Sequence, residues 1–61
     1  MADRILRRRE VEARTGLARS TIYKWLARND FPAPIALGAR MVGWRERDVE
    51  AWLAARPGRA A

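Results

Sequence analysis

The sequence predicts a mainly α-helical fold with one small β-hairpin, in the order α-α-β-β-α. Three observations lead there: two apolar stripes at helical spacing, a Gly-containing turn between the first two helical segments, and a proline-interrupted stretch followed by short alternating runs. With 61 residues the chain has room for a single domain over 1–61, with an ordered core expected at residues 5–56. A chain this short buries only about 60% of the surface exposed when unfolded, so its few large apolar side chains must pack efficiently.

Residues 1–6 read as a short arm, with Ile5 and Leu6 placed to fold back as a staple on the first helix. That helix is expected over Arg8 to Arg14 with Val11 inward, closed by Thr15-Gly16, and Leu17 plugs the turn. The second helix follows at once, from Arg19 to Arg28. Its Ile22, Trp25 and Leu26 stand at i, i+3 and i+4 and form one inward stripe. Asn29-Asp30 end it, since asparagine tolerates the left-handed conformation. Phe31-Pro32-Ala33-Pro34 cannot be helical and runs extended. Ile35-Ala36-Leu37 and Met41-Val42-Gly43-Trp44 then read as the two strands of a hairpin turned by Gly38-Ala39-Arg40, with Ile35, Leu37, Val42 and Trp44 as core candidates. The third helix runs from Glu46 to Arg56 on a Val49, Trp52, Leu53 stripe, with Glu46 and Asp48 in its favourable first turn. Pro57-Gly58 stop it, and residues 57–61 are expected to fray.

Charge narrows the function. Thirteen Lys/Arg, twelve of them arginine, against seven Asp/Glu give a formal net charge of +6, which points to a polyanionic partner. The chain lacks cysteine and histidine, so thiolate and imidazole metal sites are excluded. No paired carboxylates and no Gly-rich phosphate loop are present, so the chain is not expected to be an enzyme. No cofactor, metal or small-molecule ligand is expected either. No run reaches membrane-span length and no signal-peptide pattern opens the sequence, so the expected location is cytoplasmic, on the nucleoid.

Two short helices on a tight turn, with a polar outer face on the second, make a helix-turn-helix, and a following hairpin makes a wing. In such an element the first helix crosses the DNA backbone and the second meets base edges in the major groove. Arg19, Ser20, Thr21, Tyr23, Lys24 and Arg28 supply small, hydrogen-bonding and cationic groups on that second helix. Arg9 on the first helix and Arg40 at the hairpin turn are placed to reach phosphate or the adjacent minor groove. Arg19, Ser20 and Lys24 are the expected base readers, with Arg9, Arg28 and Arg40 on phosphates. The three tryptophans, spaced with the apolar stripes, are expected in the core rather than as stacking platforms.

The ordered string Glu10-Val11, Thr15-Gly16-Leu17, Arg19-Ser20-Thr21-Ile22-Tyr23-Lys24, Phe31-Pro32-x-Pro34, Leu37-Gly38, Val42-Gly43-Trp44 and Val49-x-x-Trp52-Leu53 resembles the AlpA-type regulators of phages and prophages. These are small winged-helix proteins related to excisionases and to the DNA-binding domains of the MerR class. The resemblance spans Leu6 to Arg56 and implies a prokaryotic or phage DNA-binding protein acting in transcription, in prophage excision or in both, with Arg19, Ser20, Tyr23 and Lys24 on the recognition helix and Arg40 at the wing. Two positions depart from the pattern. The usual serine before Arg19 is Ala18, a lost N-cap worth about 1 kcal/mol, which leaves the second helix starting at Arg19 or at Ser20. The usual glycine after that helix is Asn29.

The partners expected are duplex DNA, further copies of the chain bound cooperatively, and RNA polymerase or an integrase; no membrane partner is expected. Two other readings stay open. One is a recombination directionality factor that bends DNA for an integrase. The other is a protein-interaction module that uses Trp52 and the third-helix face, with DNA affinity incidental.

Overall fold

A computed structural model describes residues 4–56, and the expected stop at Pro57-Gly58, the frayed end and the first residues of the arm lie outside the described residues. The elements run β1 (Ile5–Leu6), α1 (Arg8–Thr15), α2 (Arg19–Ala27), β2 (Ile35–Ala36), β3 (Val42–Arg45) and α3 (Glu46–Ala54). The architecture is that of a small winged helix, three helices with a small antiparallel sheet. Among the described residues no helix is long and apolar enough to cross a membrane.

Local chemistry sets the helix ends. Glu10 reaches back to accept the Arg7 backbone N–H at 3.0 Å, the acidic half of a capping box. The Arg7 side chain, a donor only, supplies no reciprocal acceptor. Gly16, at φ 75°, closes α1 by donating its N–H to the Glu12 carbonyl. The Thr15 hydroxyl donates to the Val11 carbonyl and accepts the Leu17 N–H, which stiffens the turn into α2. α2 starts at Arg19, not Ser20: Ala18 is extended at the N-cap position and its carbonyl accepts the Ile22 N–H. Asn29 takes the left-handed conformation at φ 59°, as its side chain allows.

Ile5 and Leu6 correct the expectation of a staple. They form an edge strand, and the sheet is ordered β1-β3-β2, with all pairs antiparallel. Ile5 faces Arg45 and Leu6 faces Trp44 on one side of β3, while Ile35 faces Gly43 and Ala36 faces Val42 on the other. The Arg4 carbonyl accepts the Glu46 N–H, so β1 also ties down the start of α3. Leu37 is a second correction. The strand ends at Ala36, Leu37 begins the hairpin turn by donating its N–H to Met41, and its side chain is 41% exposed.

The core takes one side chain from nearly every segment: Leu6, Val11, Ile22, Phe31, Trp44 and Val49. Trp44 is fully buried, and its indole N–H finds the Pro32 carbonyl at 2.8 Å, which anchors the proline stretch. Trp52 donates to the Asp30 carbonyl and packs edge-on against Phe31, with Trp25 tilted 5.9 Å from it. The tryptophans therefore occupy the core and its edge. Arg14 bridges α1 to α3 through Glu46 at 2.6 Å and Glu50 at 2.9 Å. These pairs are partly exposed, so they orient the helices more than they stabilise them.

Candidate nucleic-acid interface

The rotation of α2 is set by its apolar stripe. With Ile22 fully buried and Trp25 and Leu26 packed at the core edge, Arg19, Ser20, Tyr23 and Lys24 are left exposed on the opposite surface. Thr21 is half-buried beside this face. The Arg19 guanidinium lies 5.8 Å from the Tyr23 ring centroid, a cation–π contact that holds both groups at the first two turns of the helix. The absent cap leaves the first N–H groups of α2 without a side-chain acceptor from the N-cap residue.

Arg9 and Arg40, far apart in sequence, line the same concavity. A cleft of about 380 Å³ is lined by Arg7, Arg8, Arg9, Tyr23, Arg40 and Val42, so the start of α1, the middle of α2 and the wing converge on one concavity. Arg8 is paired with Glu12 at 2.6 Å. Among the described residues, the Arg7, Arg9 and Arg40 guanidiniums have no carboxylate partner, and no acidic residue lines the cleft. Glu10, the nearest acid in sequence, is committed elsewhere. The Arg7 N–H donated to its carboxylate, with Arg4 beside it, holds Glu10 below the ordinary carboxylate range.

Arg28 stands apart from this group. It caps the C-terminal end of α2 outside the cleft, with Nε 3.3 Å from the Asp30 carboxylate, both side chains being 55% exposed. An exposed pair of that kind costs little to open. Thus the structure brings Arg9, Tyr23 and Arg40 together, sets Arg19, Ser20 and Lys24 on an open face, and leaves Arg28 at the far end.

Arg7 and Arg8, whose run with Arg9 is from sequence alone equally a phosphate contact or a solvated face, line the cleft as well. The signal was the run Arg7-Arg8-Arg9, whose three members share the cleft because the helix begins within it. A second groove, which shares no lining residue with the first, is lined by Asp30, Phe31, Asp48 and Trp52 among others. There the Arg56 guanidinium lies 4.4 Å over the Trp52 ring.

The profile of the family described as "Prophage CP4-57 regulatory protein (AlpA)" matches residues 4–57. The chain is 43% identical over 54 residues to "Uncharacterized protein ORF88" of Enterobacteria phage P4, an alignment covering 88% of this chain but 61% of that protein. It is 46% identical over 61 residues to the "DNA-binding transcriptional activator AlpA" of Escherichia coli (strain K12), covering 90% of this chain and 87% of that protein.

Proposed function

The chain belongs to the AlpA family of prophage regulatory proteins, and from that premise we propose that it is a sequence-specific double-stranded DNA-binding transcriptional regulator. α2 enters the major groove and the wing reaches the adjacent backbone or minor groove. The observation that carries this reading is the exposed face of α2, with Arg19 and Lys24, beside an arginine cleft that Tyr23 also lines. Arg19, Ser20 and Lys24 read base edges, with Thr21 and Tyr23 on the flanks of that face. Arg9, Arg28 and Arg40 contact phosphates, Arg28 by exchanging Asp30 for the backbone.

One module of this size covers only about 600–1,000 Å² of protein surface on DNA. Useful specificity then requires neighbouring copies on repeated sites, or a partner such as RNA polymerase or an integrase. The site of action is the nucleoid, in the cytoplasm.

The test is a duplex-binding titration at several salt concentrations with wild type, Lys24→Ala and Arg40→Ala. Wild type binds at low salt, and its affinity falls steeply as salt rises. Lys24→Ala alters the sequence preference, whereas Arg40→Ala weakens all sequences alike and flattens the salt slope by about one unit. Absence of duplex binding at low salt sinks the proposal. An unchanged preference in Lys24→Ala removes α2 from the groove.

A further inference from the structure

The arginine cleft has a property that a generally basic surface lacks: its hydrogen-bond donors come from three separate elements and line one space. Arg7, Arg8 and Arg9 enter from the start of α1, Tyr23 from α2 and Arg40 from the wing, while Val42 forms part of the wall. Arg8 alone among the lining arginines has a carboxylate partner among the described residues. Like charges gathered in this way repel each other, so the empty cleft carries a penalty that a bound anion relieves. Guanidinium forks and a phenolic O–H are the donors that match tetrahedral phosphate oxygens. At about 30 Å³ per water molecule, 380 Å³ has room for a phosphate group with part of its hydration or an attached sugar.

We propose that this cleft is the seat of one backbone phosphate of the bound duplex, gripped by Arg9 and Arg40 together, with Arg7 and the Tyr23 hydroxyl as further donors. This rests on the DNA reading above and makes it specific. The wing and the first helix do not touch separate points of the backbone; they close on the same phosphate. That fixes the wing relative to α2, and it sets the register in which α2 enters the groove.

The chemistry recognised is a phosphate oxyanion, and the experiment has two arms to identify its source. In the first, inorganic phosphate is titrated at constant ionic strength while backbone amide and arginine side-chain NMR signals are followed. Signals of Arg7, Arg9, Tyr23 and Arg40 should move saturably, those of Trp52 and Arg56 should not, and Arg9→Gln/Arg40→Gln should abolish the saturation. In the second, a duplex recovered from a random-sequence pool by wild type carries single methylphosphonate linkages, one position at a time. One position should weaken wild type and Arg56→Ala by about tenfold. The same position should leave the Arg9→Gln/Arg40→Gln variant nearly unaffected, and each of its single substitutions affected less than wild type. Duplex binding with no such coupled position overturns the inference and leaves the DNA reading standing. Separate coupled positions for Arg9 and Arg40 overturn it too. Saturable inorganic phosphate binding without a coupled position assigns the cleft to a free anion instead. Failure to retain any duplex removes the DNA reading and this inference together.

Discussion

At the scale of single residues, two of three glycines are constrained, each for a different reason. Gly43 sits buried in β3 between its two neighbouring strands, and a Cβ there would stand 2.6 Å from Ile5 Cγ2, 3.0 Å from Leu37 Cδ1 and 3.1 Å from the Leu6 carbonyl oxygen. The backbone oxygen cannot step aside as a side-chain tip can. Gly43→Ala should therefore destabilise by about 1–3 kcal/mol, the usual range for overpacking. Gly16→Ala has open space, but its φ of 75° strains any L side chain, with an expected loss of about 1–2 kcal/mol. Gly38 has neither constraint: nothing lies within 4 Å and its φ is unexceptional, so Gly38→Ala should change stability little. Urea midpoints for the three variants check the order, and a Gly43→Ala protein as stable as wild type would refute the tight β1–β3 crossing.

At the scale of elements, α2 is the one under-provided with local signals. Ala18 already holds the extended N-cap conformation, φ −76° and ψ 158°, but has no side-chain oxygen to offer. Ala18→Ser should supply that acceptor without moving the backbone and stabilise the protein by about 0.5–2 kcal/mol. A gain in urea midpoint with duplex affinity retained is the expected result. No gain would mean that the serine oxygen cannot reach the amides of the first turn of α2.

The helices were legible from the sequence because the stripes Ile22-Trp25-Leu26 and Val49-Trp52-Leu53 each repeat over a full turn. β1 was not, because two residues have no period to read and its partner is thirty-eight positions away at Trp44. Leu37 misled for a related reason: it alternates correctly with Ile35, but the pairing stops one residue earlier. The open face of α2 followed from its stripe, which settles which side points outward. The cleft did not, since it depends on how close the wing comes to the start of α1, a tertiary distance that no spacing along the chain encodes. Arg9, Tyr23 and Arg40 were selected one by one, and only the fold shows that they share a cavity.

At the scale of the whole molecule, the consequence lies in how the core is assembled. Leu6, Val11, Ile22, Phe31, Trp44 and Val49 touch as one cluster, so each segment is held by side chains from the others. Leu6 is the contribution of β1, is fully buried, and belongs to a strand only two residues long. Leu6→Ala should cost about 2–5 kcal/mol, as buried leucine truncations do. A domain of 61 residues has a total stability of about 3–9 kcal/mol at typical values per residue. The loss is thus a large share of the whole, and it falls on helices that β1 does not itself contain. The variant should unfold as one unit, with the tryptophan signal and the helical circular dichroism lost in a single coincident transition at a much lower midpoint. Saturating duplex DNA should raise that midpoint again, because the proposed interface requires α1, α2 and the wing to be folded together; at one hundred times Kd the linkage amounts to about 2.7 kcal/mol. If helical signal instead outlives the tryptophan transition, the first strand closes only its own edge of the sheet, and the winged fold is less cooperative than its shared core requires.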